Sequence, residues 1–236
     1  MPTDIEQLKY RISYTFKNRS LMREAVTHRT YAMENQLKYD NQRLEFLGDA
    51  VLEIILSEFI FSRYPTADEG MMTKLRSALA QQDALATLAR RLELGDFLLM
   101  GHGERDSGGG ERDSTLSDLF EALLGAIYLD GGLDPARSFV MESVNTVYPD
   151  PAELLARLNP KGTLQEYTQR KWSVAPTYEV IDTTGPDHLK IFTCEATVRD
   201  FRGVGSGANR REAECEAARQ VIEAIAAKDP DIKKIV

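Results

Sequence analysis

A chain of 236 residues with 42% hydrophobic content can bury a real core, as one large domain or two smaller ones. No apolar run approaches the roughly 20 residues that span a bilayer, and the amino-terminal "MPTDIEQLKY" lacks the basic-then-apolar order of a signal peptide, so no membrane partner and a cytoplasmic location are expected. The formal net charge of −8, from 37 acids against 29 Lys and Arg, argues by itself against nucleic acid, but it leaves room for local clusters of cations and for acids that attract a divalent metal.

Up to about Tyr148 the pattern is helical. "SLMREAVTHRTYAME", "RLEFLGDAVLEIILSEFIFSRY", "MMTKLRSALAQQDALATLARRLEL" and "LSDLFEALLGAIYLD" carry apolar residues at a 3.6-residue period, punctuated by Pro or Gly, with no strand alternation. Between two of these segments, "GHGERDSGGGERDS" reads as a Gly-rich polar loop. Its doubled "ERDS" is too short for a repeat architecture, and no Gly-Lys-Ser/Thr follows its glycines, so it is no phosphate loop. "PDPAELLARLNP", bracketed by prolines, reads as a linker with one helical turn.

The character then changes. "GTLQEYTQRKW" is helical, "TYEVIDTTG" and "KIFTCEATVRD" are strand-like, "FRGVGSGA" is a short strand or turn, and "RREAECEAARQVIEAIAAK" is a helix. The expected organisation is an all-α domain over 1–148, a linker over 149–158, an α+β domain of order α-β-β-β-α over 159–229, and a tail over 230–236. Cys194 and Cys215 lack metal-ligand spacing and are expected as reduced packing residues. Trp172 and the aromatics around it are expected in the core of the second domain, and His28 is expected to be structural rather than a catalytic base.

The chemistry is concentrated in two helices. In "NQRLEFLGDAVL", Glu45 and Asp49 stand at i, i+4 on a stripe that continues into the core candidates Leu52 and Leu56. In "DLFEALLGAIYLD", Asp118 and Glu121 stand at i, i+3 on a stripe that continues through Ala122, Gly125 and Leu129. Carboxylates at the edge of buried surface are costly unless a cation or hydrogen-bond donors compensate. Four converging acids would suit Mg²⁺ and phosphoryl-transfer hydrolysis. Spacing alone leaves open that each pair is a solvated face or is ion-paired, for example with Arg43.

The two acidic helices closely resemble the signature helices of the ribonuclease III family, and "YTFKNRSLMREAVTHRTYAMEN" and "YPTADEGMMTKLRSAL" match that family in the expected order. The carboxy-terminal segment resembles a double-stranded-RNA-binding domain, so the resemblance covers nearly the whole chain. It implies a Mg²⁺-dependent homodimeric endonuclease, with Mn²⁺ able to substitute, that cuts both strands of duplex RNA, leaves 5′ phosphates and short 3′ overhangs, and serves rRNA and mRNA processing and RNA decay.

By position in the motif, Glu45, Asp49, Asp118 and Glu121 would be the metal-binding acids. Glu121 would be the direct ligand whose loss is most damaging, and Asp49 the acid nearest the scissile phosphate and attacking water. Glu69 would lie near the subunit boundary, and Phe46 would insert into the partner subunit. Two positions depart from the usual pattern. Gln42 stands where most bacterial members have Glu, which removes a charge near the site and leaves the four acids intact, and Gly110 stands where many relatives have Arg.

A-form RNA hides its bases in a deep, narrow major groove, so a duplex reader works by shape, through 2′-hydroxyls and phosphates. Gln165, Glu166 and Gln169 on the first helix of the second domain match the family's minor-groove contacts, His188 in "GPDH" matches the inter-strand contact, and Arg210 and Arg211 open the last helix where phosphate would sit. Lys161 and Lys190 are expected to assist. The competing expectations are a duplex-RNA-binding regulator that no longer cleaves, and a metal-dependent hydrolase of a small phosphorylated substrate. The retained acids weigh against the first, the appended RNA-binding domain against the second.

Overall fold

The computed structural model describes residues 5–186, 189–229 and 232. The chain divides into two compact units between Pro149 and Asp150. The first is helical: α1 (Leu8–Arg11), α2 (Arg19–Ala25), α3 (Arg29–Glu34), α4 (Gln42–Arg63), α5 (Glu69–Ala80), α6 (Gln82–Arg91), α7 (His102–Asp106), α8 (Asp113–Gly131) and α9 (Leu133–Val147). An isolated parallel bridge between Thr27 and Leu99 joins the segments before α3 and α7.

At its centre lies α8, in which Leu119, Phe120 and the run from Ala122 to Ile127 are buried, so this helix is apolar nearly all round and is enclosed by α2, α4, α6 and α9. The Phe120 ring stacks on Phe139 of α9 at 4.9 Å. α4 presents Leu44, Val51, Leu52, Ile55, Leu56 and Ile60 to the same core, the three-and-four spacing of a single helical face. Leu52 and Leu56 are fully buried, as their stripe requires, whereas Leu129 on the other acidic helix is 54% exposed because it lies near the end of α8, beyond the enclosed part.

The crossing of α4 and α8 is unusually close. A Cβ placed on Gly48 would lie 1.8 Å from the Glu121 carbonyl oxygen, and one on Gly125 would lie 2.2 Å from that of Leu44. The helices therefore meet backbone to backbone, where ordinary side chains would hold the axes about 8–10 Å apart. The expected Gly-rich loop is partly ordered: α7 and a single 3₁₀ turn at Gly109–Glu111 form within it. Its start is tied to α3, where Glu34 accepts hydrogen bonds from the His102 backbone and Thr30 Oγ1 accepts one from the Gly101 N–H.

The second unit contains α10 (Pro151–Leu158), α11 (Pro160–Trp172), β1 (Thr177–Thr184), β2 (Ile191–Val198), β3 (Phe201–Gly207) and α12 (Arg210–Ala226). The segment expected as a linker is thus a capped helix of its own. Asp150 accepts from the Ala152 N–H, Pro151 occupies the first turn, and Leu154 and Leu155 are buried. The strands form an antiparallel sheet in the order β1-β2-β3, with a bulge between Val180 and Asp182. Cys194, Ala196 and Val198 of β2 point inward, and so do Gly203 and Gly205 of β3, where any Cβ would strike α12 near Ala217. Trp172 stacks on Phe201 at 5.7 Å and meets Tyr167 edge-on. Asn209 and Glu212 form a reciprocal cap at the start of α12.

The glycine crossing makes a direct prediction. Gly125→Ala forces the two backbones apart, and overpacking of this kind costs about 1–3 kcal/mol or more. Differential scanning calorimetry is expected to show a fall in the melting temperature of at least a few degrees, against no change for Gly103→Ala, where an added methyl meets nothing.

Candidate active site

Glu45 sits in the first turns of α4, Asp118 and Glu121 one turn apart on α8, and the glycine crossing places the two helices so that their acids face one another. Glu45, Asp118 and Glu121 each offer one oxygen, all within 4.8 Å of each other, and all three side chains are half-buried. Asp49, on the next turn of α4, is exposed and stands outside this trio, although its charge reaches Glu121. None of the four acids makes a hydrogen bond or ion pair with its side chain among the described residues, and Arg43 pairs with none of them.

The electrostatic consequence is large. Burial, followed by the charges of Asp49, Glu45 and Asp118, pushes the Glu121 carboxyl up to about 8. Glu45 is raised by burial and then by Asp118, Asp40 and Asp49. Asp118 is raised by burial, while His28 acts in the opposite direction. His28 itself caps α3, with its Nδ1 accepting from the Thr30 N–H, a structural task beside the acids. A donor set made only of carboxylate oxygens, drawn together at electrostatic cost and lacking internal cations, has the chemistry that hard divalent ions satisfy. The residues present fit such an ion.

Other expected positions fall around this centre. Gln42 is exposed at the start of α4, and its backbone N–H donates to Asp40 Oδ1 at 3.1 Å. Phe46 is 82% exposed, and with Ile54 and Phe61 it forms an apolar stripe along the outer face of α4. Glu69 begins α5, accepts from Thr73 Oγ1, and lines a groove of about 880 Å³ together with Phe61, Met72 and Met141. Gly110 lies in the 3₁₀ turn before α8.

In the second unit Gln165 and Gln169 are exposed and Glu166 is half-buried along one face of α11. Arg210 and Arg211 are exposed at the start of α12, but they differ in kind. Arg210 Nε donates to Glu214 Oε1 at 2.8 Å, and Lys161 from α11 is bonded to the other oxygen of that buried carboxylate, so Glu214 ties the two helix starts together. Its carboxyl is held below the usual range chiefly by Lys161, then by Arg210. Arg211 has no such partner among the described residues. His188 lies outside the described residues.

The residues that make the site possible but were not singled out as such are Gly48 and Gly125. The available signal was a glycine at mid-helix in each acidic stretch, which costs about 1 kcal/mol against Ala and so implies a packing reason.

A helical unit whose two central helices converge carboxylates, joined to a unit of order α-β-β-β-α, defines a metal-dependent nuclease class with an attached duplex-RNA reader. Residues 18–147 match the family described as ribonuclease-III-like, and residues 160–225 match the double-stranded RNA binding motif. Ribonuclease 3 of Pseudomonas aeruginosa is 40% identical over 227 residues, which cover 95% of this chain and 97% of that protein. Ribonuclease 3 of Symbiobacterium thermophilum is 43% identical over 212 residues, 89% of this chain and 90% of that one. The solved nuclease domain of ribonuclease III from Campylobacter jejuni, described for flexibility in a region involved in dimer formation, is 39% identical, with a TM-score of 0.59 over 62% of this chain and all of that one. The chain belongs to the ribonuclease III family, as an endoribonuclease joined to a double-stranded-RNA-binding domain. No helix among the described residues is long and apolar enough to cross a membrane.

The raised Glu121 carboxyl has a measurable signature. Between its ordinary value of 4.5 and about 8, the folded protein without metal holds a proton that the unfolded chain has released. Stability from this group is therefore present at low pH and lost as pH rises through that window. Urea denaturation in chelator is expected to show this fall between pH 5 and pH 8.5, and Glu121→Gln is expected to flatten it. An equal slope in wild type and variant would assign the pH dependence elsewhere.

Proposed function

We propose that the protein cleaves both strands of duplex RNA in a Mg²⁺-dependent reaction, leaving 5′ phosphates and short 3′ overhangs, as a cytoplasmic homodimer that works in rRNA and mRNA processing and RNA decay, with Mn²⁺ able to replace Mg²⁺. The observation that carries this reading is the convergence of oxygens from Glu45, Asp118 and Glu121 across the glycine crossing. A bound Mg²⁺ would supply charge neutralisation at the phosphate and a lowered pKa for the attacking water. Glu121, the most buried in charge and the most perturbed, is assigned as a direct ligand, with Glu45 and Asp118 completing the set. Asp49, exposed at the mouth, is assigned to orient the attacking water and receive its proton.

The second unit is assigned to hold the duplex. Gln165, Glu166 and Gln169 would meet 2′-hydroxyls, together with His188. Arg211 would meet phosphate at the start of α12, and Arg210, shared with Glu214, would chiefly position that helix start. Gln42 and Glu69 are assigned secondary roles, at the edge of the acids and at the subunit boundary respectively. The homodimer is supported by the exposed Phe46, Ile54 and Phe61 stripe, an arrangement that costs hydration free energy in a lone subunit and is relieved by a second copy.

The test is incubation of the full chain with a long perfect duplex RNA, with and without Mg²⁺. Short 5′-phosphorylated products are expected only with metal. Glu121→Gln is expected to lower the rate by several orders of magnitude while duplex affinity, measured without metal, stays within a few-fold. Near-normal turnover of this variant at saturating Mg²⁺ would reject the assignment. For the dimer, Phe46→Asp is expected to sediment as a monomer at concentrations where the wild type is dimeric, and a folded, active dimer of the variant would show that Phe46 is not part of the contact.

A further inference from the structure

In the helical unit Arg11, Arg19, Arg76, Arg90, Arg112 and Arg137 pair with acids. Arg29, Lys38 and Arg43 are different. Their side chains are exposed and, among the described residues, make no ion pair, hydrogen bond or ring contact. All three line a single groove of about 480 Å³ between α3 and the start of α4. In an acidic protein, cations left without partners around one concavity form a local positive field that the net charge of −8 conceals.

The groove's other walls add chemical detail. Ala32 is buried and Leu37 half-buried, Met33 is exposed and Tyr39 half-buried, so an apolar and aromatic lining lies beneath the cationic rim. The lining also carries Glu24 and Asp40, whose Oδ1 accepts from the Gln42 N–H, so three cations face two acids and the groove keeps a net positive charge of one. Position matters as well. Arg43 stands two residues before Glu45 and so faces another side of α4, but Asp40 on the groove wall lies close enough to Glu45 for their charges to interact, so the groove borders the acid cluster. A ligand with regularly spaced anions linked by less polar rings, one of whose anions is delivered to the acids, is a sugar-phosphate strand.

We propose that Arg29, Lys38 and Arg43 form a backbone-tracking subsite of the nuclease unit that grips one RNA strand through its phosphates next to the scissile bond, with Met33 and Tyr39 against the riboses. This rests on the duplex-RNA reading above and names a surface through which the nuclease unit itself holds substrate. Bare acids repel phosphate, and cations on the bordering groove lower that barrier without entering the acid cluster. The subsite acts on binding and placement, so its loss raises KM more than it lowers kcat.

The experiment is a salt titration of duplex-RNA binding by the full chain without divalent metal, which keeps cleavage from distorting it. Each phosphate contact contributes roughly 0.7–0.9 to the slope of log affinity against log salt. The double variant Arg29→Ala/Arg43→Ala is therefore expected to lower that slope by roughly one to two units, and to bind about tenfold or more weakly at 0.2 M salt. Arg63→Ala/Arg91→Ala removes the same charge from two exposed, equally unpartnered arginines elsewhere on the unit and is expected to leave the slope within half a unit. Arg29→Lys/Arg43→Lys is expected to restore the wild-type slope, and Arg29→Gln/Arg43→Gln reads the same charge loss should the Ala variant melt early. An unchanged slope in the folded groove variants, or an equal fall in both Ala doubles, overturns the subsite. Wild-type protein that cuts no duplex RNA overturns the functional reading instead, so the two failures are distinguishable.

Discussion

The contact on which the rest depends is the one between α4 and α8, where Gly48 and Gly125 let one helix lie against the carbonyl groups of the other. Side chains on closely apposed helices project around the seam rather than into it. Here that geometry drives Glu45 from one helix and Asp118 and Glu121 from the other into a single cluster at the seam's edge. The same crossing sets the core, because α8 is the central element and Leu44, Val51, Leu52 and Ile55 of α4 fill the space beside it. Fold and site therefore share one constraint. A methyl group at either glycine would disturb packing and acid geometry together.

This arrangement stores electrostatic cost where chemistry is proposed to occur. Burial raises all three half-buried carboxylates, neighbouring acids add to it at Glu45 and Glu121, and Glu121, where burial adds to three negative neighbours, is pushed up to about 8. A structural role would be served better by an Arg or Lys in the cluster, which would neutralise the acids permanently and so exclude an exchangeable ion. The second unit shows that solution in practice. There the buried Glu214 is matched by Lys161 and Arg210, its carboxyl is held low, and the result is a fixed link between two helix starts. These two acid sites are thus opposites, one satisfied and structural, the other left in deficit.

Much of this was legible in the sequence, and for identifiable reasons. Periodicity located the helices of the first unit, β-branched and aromatic runs located β1 and β2, and the i, i+4 and i, i+3 spacings put Glu45, Asp49, Asp118 and Glu121 on their faces. What spacing could not settle was partnership. Whether Arg43 neutralised the acids depends on side-chain direction across two turns, and only the folded arrangement leaves it facing a different groove. The helix at Pro151–Leu158 was masked by flanking prolines that read as a linker, although Asp150 and Pro151 are a strong start signal. Arg210 and Arg211 are equivalent in sequence and distinct in structure, since Glu214, four residues from the first, captures one of them.

The distribution of charge explains how an acidic chain can handle a polyanion. Long-range attraction cannot come from a net charge of −8, and over more than about 10 Å it would be screened by physiological salt in any case. What remains is short-range and local. Cations bound to acids, such as Arg76, Arg90 and Arg137, contribute dipoles rather than charges. Cations without acids then stand out, and three of them in the first unit, Arg29, Lys38 and Arg43, share a groove that borders the cluster of Glu45, Asp118 and Glu121. Adjacent patches of opposite, uncompensated sign have a simple physical reading: each is incomplete until something carrying both an anion and a counter-cation lies across them, and a phosphodiester strand arriving with its divalent ions satisfies both at once.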